Sequence, residues 1–201
     1  MSKKTALLSV YSKQGIVEFA QGLIELGDWE IISSGGTYKT LTKAGVPAKD
    51  VAEITGLGPI LGHRVVTLHP AIHGGLLATP EMKPELDALG YPWIDLVCVD
   101  LYPIREAIEK PGATIESVLE QTDIGGPTML RSAAKGGRIA ICQANQREGI
   151  LEWIRKGYPQ REAVIQLLRG EVERVIAEYC QLSAAFHVDR TELEAIADLV
   201  P

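Results

Sequence analysis

The sequence predicts an α/β fold: a doubly wound, mostly parallel sheet with helices on both faces. Three observations predict it. Short β-branched apolar runs alternate with helix-period stretches from the first residues onward, the order that parallel strands joined by crossover helices require. Residues 94–102, IDLVCVDLY, are almost continuously apolar, as a strand covered on both faces must be. Glycine- and hydroxyl-rich turns follow the strand-like runs, at the positions where such folds place ligands.

Element by element, ALLSV (6–10) reads as a strand, IVEFAQGLIEL (16–26) as a helix and WEIIS (29–33) as the next strand. Thr79 and Pro80 read as the N-cap and first residue of a helix ending near Gly90. The 94–102 strand is central, and RIAICQ (138–143) is its shorter companion. From Gln160 to about Ala185 the residues Val164, Leu167, Leu168, Val172, Val175, Ile176 and Tyr179 recur near helical spacing. That segment reads as packing, not chemistry. TELEAIADLV (191–200) fits a helix or a tail. No repeat, low-complexity tract or linker divides the chain, so one domain over 1–201 is expected.

Composition excludes several classes. With 46% hydrophobic and 23% charged residues, 201 residues can bury a substantial core. A formal charge of -6 argues against a general nucleic-acid binder and leaves room for a small cationic pocket. No apolar run spans a bilayer, and MSKKTALLSVYSKQG lacks a secretory signal's long apolar stretch. A cytoplasmic location and a small-molecule partner are expected. Cys98, Cys142 and Cys180 lie far apart among apolar neighbours, which suits buried thiols better than disulfides or zinc.

The loops after the strands carry the chemistry. Residues 9–15, SVYSKQG, put Ser9, Ser12 and Lys13 beside a helix start, where hydroxyls, amides and an ammonium can meet an anion. Alone, the motif reads equally well as a capped turn. Ser34, Gly35, Gly36 and Thr37 form a second such loop, in which glycines admit close backbone approach and successive amides can nest an anion. It lacks the spacing of a dinucleotide or Walker motif. Two such loops on successive strands favour a shared phosphate site. The segment 63–77, HRVVTLHPAIHGGLL, adds Arg64 and Thr67. Its His69 and His73 are four apart, but Pro70 intervenes and no acidic third ligand is present, so a metal is not expected.

The fourth region joins Asp100 and Tyr102, at the end of the central strand, to TDIGGPTMLRSAAKGG (122–137). With Pro127 as first helical residue, the amides of Ile124, Gly125 and Gly126 approach the helix N-terminus beside Asp123. Such amides can bind a developing oxyanion while Asp123 holds or deprotonates a nucleophile. Arg131 and Lys135 share a face with Thr128, and Lys135 also suits a last-turn cation before a Gly136 cap.

Taken together, SVYSKQG, ISSGGT, TGLGPILGHRVVTLHPAIHGGLL, DLVCVDLYP and above all TDIGGPTMLRSAAK resemble the IMP cyclohydrolase domain of the bifunctional purine-biosynthesis enzyme that also carries AICAR transformylase. The segments occur in that family's order across nearly the whole chain. The resemblance implies a methylglyoxal-synthase-like fold, usually a homodimer, that closes FAICAR to IMP and water without metal or cofactor. It implies phosphate and ribose contacts from Ser9, Ser12, Lys13, Ser34, Gly35, Gly36, Thr37, Arg64 and Thr67. It places catalysis on Tyr102, Asp123 and Lys135, with the amides near Ile124 and Gly125 facing the formyl oxygen. Formyl transfer is not expected.

Three departures stand out. Val66 replaces a lysine that the family counts among its active-site residues, Asp100 replaces an asparagine whose amide can donate, and Tyr11-Ser12 replaces Ser-Asp. Val66 and Asp100 keep open a non-catalytic purine-nucleotide-binding homologue on the same fold. A methylglyoxal-synthase-type lyase is the third reading, disfavoured by TDIGGPTMLRSAAK.

Overall fold

The computed structural model describes residues 3–188. The chain opens with β1 (Lys4–Val10), α1 (Ile16–Glu25), β2 (Trp29–Ser33), α2 (Gly35–Lys43), β3 (Lys49–Asp50) and α3 (Val51–Thr55). A loop leads to α4 (Pro70–Leu77), a 3-10 turn (Pro80–Met82), α5 (Lys83–Ala88) and β4 (Leu96–Asp100). Then come α6 (Ile104–Glu109), α7 (Ile115–Glu120), α8 (Gly125–Lys135), β5 (Ile139–Ile141), α9 (Gln146–Arg155) and α10 (Arg161–Val188). Among the described residues the strands form one sheet in the order β3-β2-β1-β4-β5, every pairing parallel.

Strand pleat divides the core between the two faces, because successive side chains point to opposite sides. Ala6, Leu8, Val10, Ile31, Leu96 and Cys98 pack with Ile16, Phe19 and Leu23 of α1 and Ile150, Leu151 and Ile154 of α9. Leu7, Ile32, Val97 and Val99 pack on the other face with Ile72 and Leu76 of α4, Met129 and Leu130 of α8, and Val172 and Ile176 of α10. Of the predicted α10 stripe, Leu168, Val172, Ile176 and Tyr179 are buried and Val164 and Val175 pack against the core, whereas Leu167 is 74% exposed because it faces outward from the helix. A smaller cluster of Ile104, Val118, Tyr179 and Phe186 fastens α6 and α7 to α10.

Several boundaries differ from the sequence reading. The central strand ends at Asp100, so Leu101 and Tyr102 leave the sheet. The Thr79–Gly90 segment begins as a 3-10 turn without a Thr79 side-chain cap before becoming α5. The 138–143 run shortens to three strand residues because Gln146 Oε1 accepts the amides of Cys142 and Gln143 at 2.9 and 3.1 Å. Cys98 and Cys142 are buried thiols, whereas Cys180 is exposed because it faces outward from α10. The 191–200 segment lies outside the described residues. Among the described residues no helix is long and apolar enough to cross a membrane.

Candidate active site at the switch point of the sheet

β1 lies where the strand order reverses, with β2 and β3 on one side and β4 and β5 on the other. A crevice opens beyond the carboxyl ends of strands at such a point. The register sets Val10 opposite Asp100 there, so the loops after β1, β2 and β4 leave from one end of the sheet.

The first wall comes from the loops after β1 and β2. Ser9 Oγ and Ser34 Oγ lie 2.8 Å apart. Thr37 Oγ1 accepts the Val10 amide at 2.9 Å and donates to the Val10 carbonyl at 3.0 Å. Its hydroxyl is thereby committed to holding β1 against α2, and Thr37 is a positioning group rather than an open ligand donor. Ser34 makes no side-chain cap bond to α2, which leaves the first-turn amides of that helix uncapped by a side chain. Gly35 begins the helix at φ +51, a backbone region that only glycine occupies at little cost. Lys13 Nζ donates to the carbonyls of Val10 and Tyr11 and to Thr37 Oγ1, the last at 3.3 Å. Burial pulls its pKa down, Asp100 opposes that, and Arg147 adds to it.

The second wall is the start of α8. The helix begins at Gly125, not Pro127, because the Gly126 amide donates to Asp123 Oδ1 at 2.8 Å and draws both glycines into the first turn. The Gly126 amide is therefore spent on Asp123, which leaves the amides of Ile124 and Gly125 as the candidates at this helix start. Pro127 sits inside the first turn, where a missing N–H costs the helix nothing. The Asp123 amide in turn donates to Tyr179 Oη at 2.6 Å. Burial raises the Asp123 pKa, and hydrogen bonds from the Gly126 and Tyr102 amides oppose the rise. Thr67 is 5% exposed and lies so close that its Oγ1 would be 2.9 Å from a β-carbon at Gly125. Tyr102 is half exposed and meets Tyr11 edge to face at 5.4 Å.

Other expected site residues go elsewhere. Lys135 closes α8, ten residues beyond Gly125, or about 15 Å along the helix axis. Since α8 runs against the strands, its last turn lies toward their amino ends, at the opposite end of the sheet from Asp123, and Lys135 is not beside Asp123 within one chain. Asp100 does not offer its carboxylate to a base edge: Oδ1 accepts the Tyr11 and Ser12 amides and Oδ2 the Arg147 guanidinium. Arg64 is exposed and paired with Glu120 of α7. Val66 follows the Ile60–Val65 bridge and precedes Thr67, close to the α8 start but without a polar atom to contribute.

The two histidines are structural. His69 caps α4, its Nδ1 accepting the Ala71 amide at 3.1 Å. His73 Nδ1 pairs with Ser132 Oγ at 2.9 Å, and burial lowers its pKa, which favours the neutral ring. Among the described residues no group of three or more His, Cys, Asp or Glu is placed to hold a metal.

Sequence reasoning missed Arg147, which supports the first wall, and Tyr179, whose hydroxyl supports Asp123. Arg147 did leave a signal: it is the second residue of α9, where the helix dipole disfavours a cation. Tyr179 left none, since it also fits the apolar stripe of its helix.

An all-parallel doubly wound sheet, with polar loops gathered at its switch point and a buried carboxylate at a glycine-started helix, defines an α/β protein with a candidate small-molecule site. The profile of the MGS-like domain family matches residues 15–128, and the chain belongs to that family. The bifunctional purine biosynthesis protein PurH of Desulfitobacterium hafniense is 44% identical over 187 residues, covering 91% of this chain and 36% of that protein. PurH of Listeria monocytogenes is 53% identical over 135 residues, covering 66% of this chain and 26% of the relative. The chain thus spans about a third of the length of the first of these curated relatives, 36%. A solved structure described as the crystal structure of ForH superimposes with a TM-score of 0.77 at 31% identity, covering 92% of this chain and all of that one.

Proposed function

We propose that this chain is an IMP cyclohydrolase, closing the purine ring of FAICAR to IMP with loss of water. One observation carries the reading: Asp123, the α8-start amides and Thr67 lie together, and the serine- and glycine-rich loops after β1 and β2, which suit a phosphate, leave from the same end of the sheet as the loop after β4. The purine-biosynthesis name of the PurH relatives supports it.

In this reading the ribose phosphate lies against Ser9, Ser12, Ser34 and the first-turn amides of α2 at Gly35 and Gly36, with Lys13 supplying charge. Thr67 and the half-exposed Tyr102 flank the reacting groups, and Arg64 stands at the rim. The carboxamide nitrogen attacks the formyl carbon, and Asp123 takes a proton from that nitrogen. Negative charge developing on the formyl oxygen faces the amides of Ile124 and Gly125. One carboxamide proton and the formamide N–H proton then leave with that oxygen as water, and the new C=N bond runs to the former formamide nitrogen. Holding the two groups as a near-attack pair supplies on the order of 7–11 kcal/mol in the best intramolecular cases, so orientation carries most of the rate. Lys135 takes no part within one chain. We further propose a homodimer, consistent with Leu57 and Leu61 being left exposed on the loop before α4.

Val66 favours a second reading, binding without catalysis, because valine supplies neither charge nor a donor. The test is purified protein with FAICAR, followed by ultraviolet absorbance for IMP. Turnover supports the cyclohydrolase; tight IMP binding without turnover supports the second reading. Phosphate release from dihydroxyacetone phosphate would replace both with a lyase.

A further inference from the structure

Arg147 and Asp100 form an ion pair at 2.7 Å with side chains only 3% and 14% exposed. The loop after β1 is tied through this pair. Asp100 Oδ1 accepts the amides of Tyr11 and Ser12, the second at 3.1 Å. The Arg147 guanidinium donates to Asp100 Oδ2 and to the carbonyls of Ser12 and Gln14.

Local structure does not ask for this arrangement. A cation in the first turn of α9 opposes the helix dipole, and among the described residues Arg147 Nε is buried without a hydrogen-bond partner, which costs free energy. The loop so held carries Lys13, whose ammonium folds back onto Val10, Tyr11 and Thr37. Fixing residues 11–14 therefore fixes Lys13.

We propose that Arg147 and Asp100 are a positioning pair that holds residues 11–14, and with them Lys13, in the geometry that receives the substrate's phosphate. The proposal rests on the nucleotide reading above. Both Asp100 oxygens and the Arg147 guanidinium are bonded to the protein, so the pair acts on affinity rather than on the bond-making step. It also gives Asp100 a purpose. An asparagine at that position could still accept the Tyr11 and Ser12 amides, but only a carboxylate balances a buried guanidinium.

The experiment compares the wild type with Arg147→Gln, Arg147→Lys, Asp100→Asn and the Asp100→Asn/Arg147→Gln double variant. IMP binding by calorimetry, kcat and KM for FAICAR, melting temperature and amide hydrogen exchange at Tyr11 and Ser12 are measured. Arg147→Gln leaves a carboxylate buried and unpaired, so Kd for IMP and KM rise at least about tenfold, while kcat stays within about threefold. Arg147→Lys fails to rescue, because an ammonium cannot span the same fork of acceptors. The double variant recovers most of the lost affinity, because the stranded charge is gone.

A lower melting temperature with unchanged Kd and KM would make the pair merely structural and overturn the proposal. So would additive effects in the double variant. If the wild type does not bind IMP, the nucleotide reading falls, and the pair is judged on exchange alone. Faster exchange at Tyr11 and Ser12 in Arg147→Gln supports the clamp, and unchanged exchange overturns it.

Discussion

The Gly126 amide donates to the Asp123 carboxylate at 2.8 Å, and no side chain fits between them: a β-carbon at Gly126 would lie 2.5 Å from Asp123 Oδ2. The glycine thus lets a helix start close over a buried acid. Asp123→Asn keeps an oxygen for the Gly126 amide and removes the proposed base. Its kcat for FAICAR closure is expected to fall by about 10²–10⁴ with IMP affinity retained. A kcat within a few-fold of wild type would move the base elsewhere.

Gly126→Ala tests the approach itself. The added carbon also lies 2.8 Å from Leu101 Cδ2, so Asp123, Leu101 or the helix start must shift. Overpacking of this kind costs about 1–3 kcal/mol, read as a lower midpoint in urea. Activity should fall beyond the loss of folded protein because the carboxylate is displaced.

Asp123 also sets a pH dependence. Burial raises its folded-state pKa, with the Gly126 and Tyr102 amides opposing, so the folded protein holds the proton more tightly than the unfolded chain. The resulting contribution to stability is fully present below the ordinary aspartate range and is lost as pH rises through the raised value. Asp123→Asn carries no such charge. Its melting temperature should therefore gain on the wild type between acid and neutral pH. The kcat/KM of the wild type should rise over the same interval as the base ionises. A difference in melting temperature that does not change with pH would exclude Asp123 as the titrating group.

Val66→Lys would return a cation to the arm that leads into Thr67 and the α8 start. If the valine limits catalysis, kcat rises with little change in melting temperature, since Val66 is not part of the buried core. An unchanged or lower kcat would show that another group has taken over the task.

Arg138 separates stability from chemistry. Its guanidinium is buried, donates to the carbonyls of Gly75, Leu76 and Ala78, and stacks on Trp93 at 3.7 Å. Arg138→Met strips the Leu76 and Ala78 carbonyls of this donor, while Gly75 keeps the Ile94 amide, and should destabilise the fold by about 1–3 kcal/mol for each carbonyl left unsatisfied. The kcat per folded molecule should hold, because these contacts close the C-terminal end of α4, away from Asp123.

The sequence by itself determined the strand and helix alternation, the central buried strand, the α10 stripe and the candidate loops. Each of these is written in local periodicity or in residues with special backbone demands, as at Gly35. It also carried the resemblance that the family match supports. The tertiary structure alone decided which polar residues meet. Lys135 shares a motif with Asp123, yet a straight helix carries it to the opposite end of the strands. Arg147 lies 47 positions from Asp100 and shares no motif with it, yet the two form one buried pair. Sequence spacing sets distance only within an element. Across elements, distance is set by strand order and by which face each helix buries, and here strand order brings the ends of β1 and β4 together while α9 supplies the counter-charge.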